Sequence, residues 1–166
     1  LTRRLGELEL HERAAGELDA VVHRLATTND AHRHHGGPDR DKRDRVYVQC
    51  FDPAETRRLR EELECGLRLV QLIGDNRWNE APTDFDRLRT AAGLREIAEY
   101  ADGIGPSMEH VVQGRDETGK PIIAPLLKEA HEAGLFVHVY TLRADALPPF
   151  AKDFDDLLRL FLQEAR

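Results

Sequence analysis

The stretch VYVQCFDPAETRRLREEL, residues 46–63, decides the fold. Its first six residues, from Val46 to Phe51, are rich in β-branched and aromatic types, which predicts a short strand. Asp52 and Pro53 come next. A carboxylate can accept from the free amides that open a helix, and proline fits the first helical position, so a helix is predicted from Pro53 onward. A strand that passes straight into a helix is the first half of a βα unit.

The same rhythm spreads outward in both directions. Upstream, GELELH (6–11) reads as a short alternating run, and residues 12–26 place Leu18, Val21, Val22 and Leu25 at helical spacing. Downstream, LRLVQLIG (67–74) predicts a strand and GLREIAEYA (93–101) a helix. DGIGP (102–106) predicts a short strand, IIAPLLKEAHEAG (122–134) a helix closed by Gly134, LFVHVYT (135–141) a strand, and DFDDLLRLFLQEA (153–165) a last helix. Strands alternating with helices imply parallel pairing through right-handed crossovers, hence an α/β fold with about five strands. Two polar stretches interrupt the pattern: a loop over about 28–44, expected to be flexible, and a long loop over about 74–90 that carries the only tryptophan, Trp78.

The chain has 166 residues, 40% hydrophobic and 33% charged, which is enough for one domain with a real core. A net charge of -7 argues against general nucleic-acid binding, which needs a basic surface, but leaves room for a small phosphate-bearing substrate. Cys50 and Cys65 fit no metal spacing and no disulfide scaffold; Cys50 lies in a strand-like run and is expected to be a buried thiol. No run is long enough to span a bilayer, and no signal peptide is visible, although the chain starts LTRRL without a methionine. HRHHGG (32–37) has a metal-binding composition without a rigid spacing, and DRDKRDR (39–45) reads as a solvated turn.

Strand side chains alternate between two faces. Val46, Val48 and Cys50 oppose Tyr47, Gln49 and Phe51. Val137 and Val139 oppose Phe136, His138 and Tyr140. Leu8 and Leu10 oppose Glu7, Glu9 and His11, and Val70 and Leu72 oppose Leu69, Gln71 and Ile73. One face is aliphatic and suited to lie under helices. The expectation is that Glu9, His11, Gln49, Gln71, His138 and Tyr140 share the other, facing a barrel axis whose C-terminal mouth holds the active site.

Four stretches resemble the glycerophosphodiester phosphodiesterases, in particular the periplasmic bacterial type: VYVQCFD (46–52), LVQLIGDNRWNE (69–80), AEYADGIGPS (98–107) and FVHVYTLRADALP (136–148). They occur in the family's order and cover most of residues 46–150. The resemblance implies a TIM (β/α)8 barrel of which residues 1–166 are a single incomplete domain, spanning roughly strands three to seven with their helices. It also implies metal-dependent hydrolysis of glycerophosphodiesters to glycerol 3-phosphate and an alcohol. On that map LELH (8–11) is similar to the strand-three motif. Glu9 falls on a glutamate that ligates the divalent metal, and His11 stands where a lysine is expected. The 1–18 stretch can also be read as an amphipathic helix, which would leave Glu9 a solvated charge.

The family's His-Arg-Gly segment with its catalytic histidine, its Glu-x-Asp metal ligands, its second histidine and its closing strand have no match in the 166 residues. This chain is therefore expected to supply no catalytic residue, to form part of the active-site wall and to be inactive alone. Glu9 would hold the metal, with Ca²⁺ favoured over Mg²⁺ by the periplasmic resemblance. Gln49 would donate to phosphate or glycerol oxygens, and Tyr140 would present its ring and hydroxyl to the glycerol. Trp78 would form a lip over the substrate, or simply pack its loop. Arg143 would meet phosphate, or pair with Asp145 at the surface. His138 is expected to be a core group. The substrate is a small glycerophosphodiester; no nucleic-acid partner and no membrane span are expected, and the resemblance places the protein in the periplasm or outside the cell. The alternative is a non-catalytic barrel segment that acts as a binding or complementation module.

Overall fold

The computed structural model describes residues 46–78 and 82–165. Glu9, His11, the 6–11 and 12–26 readings and the 28–44 loop lie outside them.

The opening stretch folds as its residues dictate. Strand β1 is Tyr47–Cys50 and helix α1 is Pro53–Glu61. The Asp52 side chain accepts from the Ala54 amide at 2.9 Å, and Pro53 occupies the first turn. Strand β2 (Arg68–Ile73) is followed by a single 3-10 turn at Asn76–Trp78 and two short helices, α2 (Phe85–Leu88) and α3 (Ala91–Ile97). The described parts of the 74–90 segment, 74–78 and 82–90, are thus built from turns and short helices. Asp84 caps α2, and Thr90 caps α3 through the Gly93 amide.

Strand β3 is Gly103–Pro106, and α4 is the single helical turn Met108–Val111. Strands β4 (Val112–Arg115) and β5 (Pro121–Ile123) form an antiparallel hairpin, followed by α5 (Pro125–Glu132) and β6 (Phe136–Val137). Helix α6 (Phe154–Arg159) runs into a π-helical turn, Leu160–Glu164.

Two boundaries differ from the sequence reading. The helix predicted from Ile122 starts at Pro125, and residues 121–123 are strand. Proline pushes the residue before it out of the helical region, and Ala124 is extended at ψ 149°. The predicted 135–141 strand keeps ladder pairing only over Phe136–Val137, with a further isolated parallel bridge from Ser107 to Tyr140.

Among the described residues, β1, β2, β3 and β6 make one parallel sheet in that order. Within this sheet each strand lies beside the sheet strand that precedes it, the β4–β5 hairpin standing apart between β3 and β6 in the chain. The larger of two core clusters among the described residues gathers Val46, just before β1, and Val48, Leu69, Ile73, Ile104 and Val137 of the strands with Leu59 of α1, Phe85 of α2, Leu94 and Ile97 of α3 and Leu126 of α5. These strand residues share one parity in the register, so the helices of the crossovers cover one face of the sheet. Sequential strand order with helices on one face is singly wound; a doubly wound sheet covers both.

Two expectations fail at this level. Gln71 lies opposite Cys50 and Ile104 in register, so it shares the helix-side face with Leu69 and Ile73. Fully buried there, its amide donates to the carbonyls of Cys50 at 3.1 Å and Phe51 at 3.0 Å, tying the end of β1 to β2. Cys50 is only half-buried, and Cys65 is the buried thiol; both are free. Burial together with the Asp52 charge pushes the Cys50 thiol above its ordinary range, against the backbone hydrogen bond that lowers it.

The base of the sheet is pinned by Asp102. One of its carboxylate oxygens accepts from the Leu69 amide at 2.8 Å and from Arg60 at 2.6 Å. The same guanidinium donates to the carbonyls of Tyr100 and Cys65.

Candidate active site

The face of the sheet away from the helices carries Tyr47, Gln49 and Phe51 from β1 and its C-terminal end, Val70 and Leu72 from β2, and Gly103 and Gly105 from β3. Phe136, His138 and Tyr140 complete it. The rings touch one another. Tyr47 and Phe136 meet edge to face with centroids 5.6 Å apart, and His138 sits 4.9 Å from Tyr47 and 4.6 Å from Phe136. Phe51 and Tyr140 meet edge to face at 5.9 Å.

The glycines of β3 make room for this cluster. A Cβ at Gly103 would stand 2.4 Å from the Phe136 ring, and one at Gly105 would stand 2.5 Å from the Leu72 side chain. The Tyr140 hydroxyl reaches across to donate to the Ile73 carbonyl at 2.8 Å, at the C-terminal end of β2. Gln49 and Tyr140 therefore share one face, as the alternation implied, and His138 belongs to an aromatic stack on that same face.

Trp78 follows the end of β2 and stays 45% exposed, with its amide bonded to the Asp75 carbonyl at 3.0 Å. Arg143 is taken up by Asp145 in a two-pronged pair at 3.0 and 2.5 Å, the surface arrangement weighed against a phosphate contact.

Sequence reasoning missed a group of charged side chains at the C-terminal ends of β2 and β3. Asp75 is buried two residues past β2 and holds the Arg77 guanidinium at 3.0 and 2.6 Å. These hydrogen bonds to Arg77, with the nearby Arg89 charge, hold the Asp75 carboxyl well below the usual range. Arg89 pairs with Asp86 and also meets the His110 imidazole at Nε2. The Asp75 carboxylate lies 3.9 Å from that same nitrogen. Burial, then the Arg89 charge, lowers the His110 pKa. The signal available in the sequence was position: Asp75 and His110 each come shortly after a strand end, where βα loops gather functional groups.

A groove of about 670 Å³ opens beside α4 and is lined by Glu109, Arg115, Phe150 and Lys152. None of the inner-face rings lines it, and Arg115 is held by Asp156 at 3.0 Å, so the groove is separate from the Gln49–Tyr140 face. Among the described residues no three His, Cys, Asp or Glu side chains form a group suited to a metal, and no helix is long and apolar enough to cross a membrane.

The structure is a singly wound parallel sheet with Phe51, Tyr140 and the charged group of Asp75, Arg89 and His110 at the C-terminal ends of its strands, the end at which α/β barrels carry their sites. The sequence model of the Glycerophosphoryl diester phosphodiesterase family matches residues 8–162, and the chain belongs to that family. It is 34% identical over 141 residues to the glycerophosphodiester phosphodiesterase of Haemophilus influenzae, a match covering 75% of this chain and 38% of that protein. With the glycerophosphodiester phosphodiesterase of Treponema pallidum it shares 26% identity over 136 residues, covering 73% and 38% respectively. The chain thus spans about 38% of the length of these two curated relatives.

Proposed function

We propose that this chain forms part of the active-site wall of an enzyme that hydrolyses glycerophosphodiesters to glycerol 3-phosphate and an alcohol. The observation that carries the reading is the inner face itself. Gln49 and Tyr140, separated by 90 residues of chain, stand on one side of a parallel sheet whose other side is filled by helices. In this reading β1, β2, β3 and β6 are strands four to seven of a (β/α)8 barrel and Glu9 lies on strand three.

A phosphodiester is anionic, so its hydrolysis needs charge neutralisation, a base for the attacking oxygen and an acid for the departing one. The described residues do not make a carboxylate metal set. Glu9 is the proposed ligand for a divalent ion, Ca²⁺ before Mg²⁺, which when bound would neutralise phosphate charge. The wall residues bind and orient. Gln49 offers an amide to the phosphate or glycerol oxygens. Tyr140 presents its ring to the glycerol while Ile73 fixes its hydroxyl, and the exposed Trp78 closes over the substrate from the loop after β2. Proton transfer is assigned to none of these residues, so the chain alone is proposed to be inactive. A periplasmic or extracellular location goes with the same reading.

Two measurements test it. Glycerol 3-phosphate release from glycerophosphocholine should be absent for the 166-residue chain; release above a Glu9→Ala control would overturn the inactivity. Titration with glycerol 3-phosphate should move NMR signals of Gln49 and Tyr140 and leave those of helix-side Val48 and Ile104 in place. Unmoved inner-face signals would remove the wall reading.

A further inference from the structure

His110 joins two βα loops across the mouth of the sheet. It stands on α4, directly after β3, while Arg89, Asp75 and Trp78 belong to the segment after β2. The Arg89 guanidinium can only donate, so the Nε2 it meets must accept, and that requires a neutral ring protonated at Nδ1. Only 15% of the side chain is exposed, and Nδ1 is buried with no hydrogen-bond partner among the described residues. The charged groups around the ring are Arg89, Asp75 and Asp86 from the β2 segment and Glu109 from its own turn. Helix α5 meets this turn through Leu127 beside Val111.

A second proton would change the geometry of this contact. An Nε2–H aimed at a guanidinium is repelled, whereas the Asp75 carboxylate 3.9 Å away attracts it. Asp75 is also the residue that holds Arg77 and whose carbonyl receives the Trp78 amide.

We propose that His110 is a positioning residue, a latch that holds the segment carrying Trp78 against the β3 turn through Arg89 while its ring is neutral. On protonation it leaves Arg89 and turns to Asp75. The loop then loses its tie to α4 and the Arg77–Asp75 pair must share its carboxylate. The latch stands on the geometry alone; that Trp78 thereby lets go of substrate rests on the function proposed above.

The test uses the whole 166-residue chain. Its eight histidines are labelled with ¹⁵N, and His110 is assigned by the signals that disappear in His110→Gln. At about pH 7.5 the proton should be on Nδ1, and the titration midpoint should lie below the ordinary histidine range. Arg89→Gln removes the repelling charge and should raise the midpoint. In parallel, the emission of Trp78, the only tryptophan, should change through the His110 midpoint in the wild type and stay flat through it in His110→Gln, whose amide oxygen still accepts from Arg89. A ring protonated at Nε2, a midpoint unmoved by Arg89→Gln, or emission that titrates identically without the imidazole would each overturn the latch. None of these readouts depends on turnover, so the latch and the proposed function can fail separately.

Discussion

Gly103 and Tyr140 show what single positions contribute to the inner face. A methyl group at Gly103 has no room beside the Phe136 ring, so Gly103→Ala should lower stability by about 1–3 kcal/mol, the usual cost of overpacking, measured as a lower denaturant midpoint. The Tyr140→Phe variant keeps the ring contact with Phe51 but drops the bond to the Ile73 carbonyl. It should cost about 1 kcal/mol in the same assay, and a loss several times larger would mean that the hydroxyl carries more than this bond. Tyr100 is different in kind. Its phenol is buried on the helix side and its pKa is pushed up to about 12, by burial first. The unfolded chain ionises near the ordinary value, so unfolding releases a proton between the two. Stability should therefore be intact below about pH 10 and fall as pH rises from there, and Tyr100→Phe should flatten that limb.

At the scale of elements, the strand-to-helix junctions were the most legible part of the sequence. Asp52 and Pro53 carry their instruction in two adjacent residues, and the helix begins where they say. Junctions that depend on what lies across the sheet were less legible. The hairpin of β4 and β5 has ordinary residues in short strands, and its turn is marked only by the Asp116–Gly119 segment, so the sequence pattern joins residues 122–124 to the following helix although Pro125 announces its start. Gln71 was misplaced for a related reason. Polar character suggested the open face, whereas the pairing of Gln71 with Cys50 puts it among the helices, where the carbonyls of residues 50 and 51 satisfy its amide nitrogen. Replacing it by leucine fills the space but strands those acceptors, and Gln71→Leu is expected to cost about 1–3 kcal/mol by thermal or denaturant melting. The Thr90 cap is a smaller element-level device. Its hydroxyl accepts from Gly93 at 3.1 Å, and Thr90→Ala should cost about 1 kcal/mol.

At the scale of the molecule, hydrogen bonds to the acids of the described residues shape its response to pH. Asp84, Glu96 and Asp156 are held below their ordinary range by hydrogen bonds to Asn76, to Arg87 and to the Lys152 amide, respectively. Asp75 is held lower still. A carboxyl depressed in the folded state contributes stability above its unfolded pKa, and this is lost as pH falls through the folded value. His110, kept neutral by folding, adds an earlier loss that begins near the ordinary histidine range as the unfolded chain takes up protons first. Acid unfolding should accordingly show two stages, and His110→Gln should remove the first and spare the second. The global arrangement was legible because alternating strand and helix patterns permit few topologies. The charged group of Asp75, Arg89 and His110 was not, because nothing local to residues 75, 89 or 110 records that the chain brings them together.

The separation of the sheet into a helix-packed side and an open side has a consequence for how such a protein changes over time. Along β1, alternate positions face different surroundings, and on the function proposed above one set answers to folding and the other to recognition. On that proposal a lineage could alter what it recognises by exchanging Gln49 or Tyr140, while Val48, Ile104 and Val137 go on fastening the strands to their helices. Saturation mutagenesis should read out as a comb along β1, where exposed Tyr47 and Gln49 alternate with half-buried Val48 and Cys50, and as unbroken intolerance along β3, which is buried throughout and has no room for a side chain at Gly103 or Gly105.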